Sequence, residues 1–157
     1  MLRSPPFYVM LQLKTPAGLV TVSSEKGCVT AVYFTTEREY GPVPSAVERE
    51  AAKQIEAYFA KELRDFDLPL RFSGTPFQES VWHELLKIPY GETRTYGEIA
   101  RAVGRPGGAR AAGMACNRNR IALVIPCHRV IGASGALTGY APGVEIKKLL
   151  LDLEKKA

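Results

Sequence analysis

The chain has 157 residues, 46% of them apolar, a net charge of +5, three cysteines and two histidines. That length allows one ordinary domain or two small ones with a core needing no staple. The odd cysteine count, with no C-x-x-C pair among Cys28, Cys116 and Cys127, argues against a secreted disulfide framework. No signal sequence opens the chain and no run approaches the roughly 20 apolar residues that span a bilayer, so a soluble, cytoplasmic protein is expected.

The first part reads as a β-meander. Strand-like runs cover Phe7 to Gln12, Leu19 to Ser23 and Cys28 to Phe34, parted by turn signals at Pro16 to Gly18 and Glu25 to Gly27. A helix beginning after Pro44 is expected to cover them. Ser45 and Glu48 form the S-x-x-E capping box, and Ala51, Ile55, Tyr58 and Phe59 repeat at helical spacing. A polar segment from Leu68 to Gly74 then reads as a link, which divides the chain into domains 1–72 and 73–157.

The second domain is helical and heavily punctuated. Thr75-Pro76-Phe77-Gln78 supplies a capping threonine, a proline at the first helical position and a glutamine reaching back, ahead of a stripe of Phe77, Val81, Trp82, Leu85 and Leu86. Thr95 and Glu98 open a short helix ending near Gly104. A second short helix runs from Ala109 to about Cys116, and the pair outlines a helix-turn-helix. That second helix, Ala109-Arg110-Ala111-Ala112-Gly113, has small side chains that let its backbone approach a partner closely, with one Arg projecting. Close packing against a neighbouring helix fits the same pattern. Ile121 to Ile125 is too short for a helix and reads as a buried extended segment. A last helix from about Val144 carries the stripe Ile146, Leu149, Leu150 and Leu153, with Glu154 at its end, a poor place for a carboxylate in the helix dipole.

Charge is divided unevenly. Residues 73–157 hold twelve basic and seven acidic residues, which accounts for the whole excess, and no acid lies between Glu98 and Glu145. Six arginines do: Arg101, Arg105, Arg110, Arg118, Arg120 and Arg129. Such a stretch suits a polyphosphate backbone, although a mild basic excess also serves solubility.

The chemistry gathers at Ile125-Pro126-Cys127-His128-Arg129-Val130. A thiol reacts as the thiolate, so the neighbours that shift its pKa decide its reactivity. Adjacent side chains diverge, which favours a relay from Cys127 to His128 through one water, with Glu154 a candidate to orient the imidazole. A cysteine after an apolar run is also what an inert core position looks like. His83 reads as a surface residue.

This hexapeptide, preceded by Asn119 and the apolar run, resembles the active-site motif of the O6-alkylguanine-DNA alkyltransferases, the methylated-DNA–protein-cysteine methyltransferases. The similarity extends in order and spacing over Thr75 to Gln78, Ile88 to Thr93, Thr95 to Ala100, Ala109 to Gly113, Ser134-Gly135, Gly139-Tyr140 and Leu150 to Glu154. It covers residues 73–155 strongly and the N-terminal part in outline. The resemblance implies an α+β fold: a ribonuclease H-like three-stranded antiparallel sheet with a helix, then a mostly helical, winged-helix-like domain with the helix-turn-helix.

The resemblance also implies a single-turnover repair reaction. An alkyl group on guanine O6, and less readily thymine O4, of duplex DNA passes to the protein's own cysteine after base flipping. Cys127 is then the acceptor, His128 its water-mediated base and Glu154 the group orienting the histidine. Asn119 braces the turn, and Tyr96 assists base rotation and donates to the leaving guanine. Arg110 fills the gap in the stack, while Ala109, Ala111, Gly113 and Arg129 complete the DNA surface in the minor groove. The Cys127 and Val130 carbonyls read the guanine amino group, and Tyr140 and the Ala141 N–H line the pocket.

Ala141 stands where some members have Ser, so any contact there comes from backbone, and Pro142 stands where Gly is common. Some members hold a structural zinc in the N-terminal domain; this one, with Cys28 alone and no histidine there, is expected to bind no metal or other cofactor. The expected partner is duplex DNA carrying O6-alkylguanine, bound by a monomer without a membrane. Two alternatives remain at this point, a non-catalytic alkylated-DNA-binding protein and a helix-turn-helix regulator. The first would not need Cys127, and the second would need longer side chains on its reading helix.

Overall fold

The computed structural model describes residues 9–41 and 43–155; the expected strand start at Phe7 lies outside them. Contacts divide the chain into two compact units, one ending at Phe72 and the other beginning at Ser73.

In the first unit β1 (Val9–Thr15), β2 (Gly18–Glu25) and β3 (Cys28–Thr35) form an antiparallel sheet in chain order. β2 is central and buried on both faces. Val20 and Val22 point into the apolar core, while Thr21 on the other face bonds Gln12 and Glu39. Helix α1 (Ala46–Phe59) lies on the sheet through Ala51, Ile55 and Tyr58, all fully buried. Its Ser45–Glu48 capping box forms, and Glu48 also accepts from Ser24 Oγ in β2. The burial that would raise the Glu48 carboxyl is outweighed by these hydrogen bonds, which hold it below its ordinary value.

The segment read as a link contains the boundary between the two units and touches the sheet at one isolated bridge. Leu70 bridges Val29 in parallel, with Val29 N–H donating to the Pro69 carbonyl at 2.8 Å and Arg71 N–H to the Val29 carbonyl at 2.9 Å. β3 is an edge strand, and its free backbone groups need such partners.

The second unit packs α2 (Pro76–Leu85), α3 (Tyr96–Ala102) and α4 (Ala109–Asn117) against one another. Thr75–Gln78 and Thr95–Glu98 both form complete capping boxes. Trp82 Nε1 donates to the Ala115 carbonyl at 2.9 Å, which ties α2 to α4. A short parallel pair, β4 (Arg94–Thr95) with β5 (Val130–Ile131), and helix α5 (Val144–Glu154) complete it.

Two local expectations are corrected. Ile121 to Ile125 is buried but not extended: Ile125 N–H reaches the Ile121 carbonyl at 3.0 Å, and Leu123 takes φ +72°. It is a tight apolar turn that Asn119 holds. On α5 the fully buried positions are Lys147, Leu150 and Glu154, one turn-to-turn face carrying two charges, whereas Ile146, Leu149 and Leu153 are half-buried. The interior that receives this face is polar.

Candidate active site

Cys127 opens a single 3-10 turn, Cys127–Arg129, and leads directly into β5. The pairing of Arg94 with Val130 and Thr95 with Ile131 places that turn beside the start of α3, where Tyr96 stands. Distant stretches of chain are thus joined by two residues of parallel ladder. The Cys127 carbonyl accepts from Val130 N–H and the Cys127 N–H donates to the Ile125 carbonyl at 2.8 Å.

Asn119 organises the turn before the cysteine. Its Oδ1 accepts from Ile121 N–H at 2.9 Å, and its Nδ2 lies 3.0 Å from the Ile125 carbonyl and 3.3 Å from Cys127 Sγ. The sulfur contact goes beyond a brace. Burial pushes the Cys127 thiol up; the Asn119 amide, the Lys147 charge and the backbone N–H groups of Cys127 and His128 act in the opposite direction.

His128 and Glu154 are both fully buried and meet at 2.7 Å, Nε2 to Oε2. An ionised carboxylate only accepts, so Nε2 carries the proton and Nδ1 the lone pair. Nδ1 has no protein partner among the described residues. Desolvation lowers the His128 pKa and favours the neutral imidazole, while the Glu154 carboxylate acts in the opposite direction.

Arg129 corrects an expectation. It is not on the cationic surface: Nε donates to Glu154 Oε1 at 2.8 Å, Nη2 to Oε2 at 3.1 Å and Nη1 to the Ile88 carbonyl at 2.8 Å, in a buried pocket. The carboxylate at the wrong end of α5 is thereby compensated by an imidazole, a guanidinium and the Gly91 N–H. The other five arginines of the acid-free stretch, Arg101, Arg105, Arg110, Arg118 and Arg120, are exposed. His83 is also exposed.

Tyr96 is half-buried and donates its hydroxyl to the Thr138 carbonyl at 3.0 Å. Burial is the main reason its phenol is pushed up to about 12. Lys147, which no sequence pattern singled out, reaches the same carbonyl at 3.1 Å and the Tyr96 oxygen at 3.4 Å. The available signal was its register: positions 147, 150 and 154 share one helical face, and Glu154 is the candidate to orient the imidazole. Tyr140 is buried and its hydroxyl has no hydrogen-bond partner among the described residues. Val130 is fully buried, Ala141 is exposed, and Ala109, Ala111 and Gly113 are half-buried along α4 around the exposed Arg110. Among the described residues no group of three or more His, Cys, Asp or Glu side chains could hold a metal ion.

The fold and site define a class: an α+β chain that presents a buried thiol beside a carboxylate-oriented imidazole, next to a helix-turn-helix. Residues 76–156 match the family described as 6-O-methylguanine DNA methyltransferase, DNA binding domain. The chain is 51% identical over 147 residues to a methylated-DNA–protein-cysteine methyltransferase of Methanosarcina acetivorans, covering 90% of this chain and 94% of that one. To a protein of the same name from Mycobacterium tuberculosis it is 48% identical over 149 residues, covering 91% and 90%. The fold is similar to the crystal structure of Mycobacterium tuberculosis OGT in complex with DNA, with a TM-score of 0.86 at 46% identity over 94% of this chain and 92% of that one. The chain belongs to the methylated-DNA–protein-cysteine methyltransferase family.

Proposed function

We propose that this protein repairs DNA by taking the alkyl group from guanine O6, and less readily thymine O4, onto Cys127, once per molecule. The observation that carries this reading is the buried His128–Glu154 pair directly after Cys127, in a family named for cysteine alkylation. The thiol proton passes through one water to His128 Nδ1, and the sulfur attacks the alkyl carbon. A carbon–sulfur bond forms, the bond from O6 to that carbon breaks, and its electron pair leaves with the guanine. The base then takes up a proton, so the net change exchanges the thiol proton for the alkyl group. No cofactor is required.

Residues 73–157 act in this reading as the catalytic and DNA-binding domain, with a winged-helix-like arrangement, and residues 1–72 as a ribonuclease H-like domain. The small-residue face of α4 enters the minor groove and Arg110 fills the stack left by the flipped base. Tyr96 donates to the leaving base, the Cys127 and Val130 carbonyls take its amino group, and Tyr140 and the Ala141 N–H line the pocket. Asn119 positions the sulfur. The Tyr140 hydroxyl and His128 Nδ1 are buried without hydrogen-bond partners among the described residues. Leaving such atoms unsatisfied costs about 1–3 kcal/mol each, which supports their use by bound water or base. The protein works as a monomer in the cytoplasm on nucleoid DNA; no helix among the described residues is long and apolar enough to cross a membrane.

The test is to incubate the protein with duplex DNA containing O6-methylguanine and measure its intact mass. A gain of one CH2 mapped to Cys127, with plain guanine left in the DNA, is expected. Unchanged protein bound tightly to the lesion would overturn the reading in favour of a non-catalytic binder. Cys127→Ser should lose transfer and keep DNA binding.

A further inference from the structure

The exposed arginines of the acid-free stretch are not evenly spread, and two of them meet at one cleft. Arg118, the C-cap of α4, and Arg120, two residues on, line a cavity of about 370 Å³ together with Ser73, Gln78, Trp82 and Met114. No acid lines it, and among the described residues neither guanidinium has a hydrogen-bond or ion-pair partner. A cation at the end of a helix complements its dipole, which accounts for Arg118 and leaves Arg120 without a reason.

The other lining groups make a donor-rich rim beside an apolar wall. Gln78 Oε1 accepts from Thr75 N–H at 3.0 Å, which leaves the amide N–H groups of Gln78 to donate elsewhere. Trp82 is buried and gives Nε1 to the Ala115 carbonyl, so it offers the cleft carbon. Met114 is 62% exposed, the only large apolar side chain of α4 left in solvent. Guanidinium forks match the oxygens of a phosphate, and an adaptable methionine surface suits the sugar attached to it.

The place of the cleft on α4 decides which phosphate it can reach. Arg110, Met114 and Arg118 follow at four-residue steps and share one ridge of the helix. Eight residues of helix span about 12 Å, while a DNA strand advances about 3.4 Å per nucleotide. We propose that this cleft is a phosphate-binding subsite in which Arg118 and Arg120 together grip one backbone phosphate of the lesion duplex, about three or four nucleotides from the extruded base, with Met114 against its sugar. Arg110 and Arg118 stand at the two ends of one rigid helix. Gripping that phosphate therefore sets where along the strand Arg110 enters the stack, a positioning contact that reads no base.

This inference rests on the repair reading for duplex DNA as the partner and Arg110 as the residue in the stack, and it does not need alkyl transfer. Its test uses the full chain and O6-methylguanine duplexes that each carry one neutral methylphosphonate, placed at successive positions on either side of the lesion. Binding is titrated at several salt concentrations for the unaltered protein, R118Q/R120Q and R118K/R120K, and thermal unfolding is measured for all three. R118Q/R120Q should bind about 10-fold more weakly and lower the salt slope by about 1, the share of one phosphate. R118K/R120K should regain the slope and part of the affinity, since an ammonium keeps the charge and loses the fork. One methylphosphonate position should cost the unaltered protein the same factor and cost R118Q/R120Q less than about twofold, because both changes remove a single contact. Unchanged affinity and slope in R118Q/R120Q would overturn the proposal. So would a loss shared equally by every methylphosphonate position in both proteins, which marks a diffuse field, or a loss that follows unfolding. An unaltered protein that binds through this phosphate yet gains no alkyl group on Cys127 would remove the repair reading and leave the subsite in place.

Discussion

His128 Nε2 stands 2.7 Å from Glu154 Oε2, a contact between a 3-10 turn and the last residue of α5, both fully buried. The same carboxylate holds Arg129 through two further bonds, so one acid both orients the imidazole and neutralises a buried guanidinium. The reactive turn and the C-terminal helix therefore stand or fall together.

Glu154→Gln is expected to damage both. An amide nitrogen would face the donors of His128 or Arg129, and the Nδ1 lone pair would no longer be enforced. Transfer should slow by about 10²- to 10⁴-fold. Loss of the carboxylate leaves Arg129 buried without its charge partner, at a stability cost of about 3–5 kcal/mol. Single-turnover kinetics and chemical denaturation read the two effects separately.

Asn119→Ala should raise the thiol pKa. It removes the amide contact to Cys127 Sγ, one of the influences opposing burial, along with the bonds to Ile121 and Ile125. The rate of Cys127 alkylation by iodoacetamide, followed against pH, is expected to move to the alkaline side. Each buried backbone group left without its partner should cost about 1–3 kcal/mol in unfolding free energy.

Gly113→Ala separates folding from DNA contact. The new methyl would meet the Tyr96 ring at 3.7 Å, an ordinary contact, and Ala exceeds Gly in helix propensity by about 1 kcal/mol. The variant should unfold at a higher temperature yet bind duplex more weakly, because α4 can no longer approach as closely. Arg110→Ala, which removes the side chain assigned to the base stack, should weaken duplex binding without a stability change. Thermal unfolding together with titration against labelled duplex at several salt concentrations decides both.

Stability should decline toward both ends of the pH scale, for opposite reasons. His128 has a folded pKa lowered by burial, so the unfolded chain binds the extra proton first and stability falls as pH drops below about 6.5. Cys116 is pushed by burial from 9.0 up to about 12, so between those values the unfolded chain ionises and the folded one does not. Stability is therefore lost as pH rises through that window. Cys116→Ala should flatten the alkaline slope of the unfolding free energy and leave the acid slope unchanged.

The legible features were those in which partners lie a few residues apart. The capping boxes at Ser45–Glu48, Thr75–Gln78 and Thr95–Glu98 form because the cap and its reply sit three residues apart on one turn. Helical spacing likewise placed Ile55 and Tyr58 inward. Arg129 was misplaced because its charge matched an exposed arginine run, and nothing local distinguishes a phosphate contact from a buried fork on Glu154. The bridge from Leu70 was not legible for a similar reason: its partner, Val29, lies in a distant strand.

Residue order thus determined the elements, the Cys127-His128 dipeptide and the acid-free cationic stretch, all consequences of short-range periodicity and composition. The assembled fold decided which charges face inward. Lys147, Arg129 and Glu154 are buried because particular oxygens and nitrogens from remote segments meet them, at Thr138, Ile88 and His128. A buried charge is tolerable only where such partners converge, and convergence is a property of three dimensions.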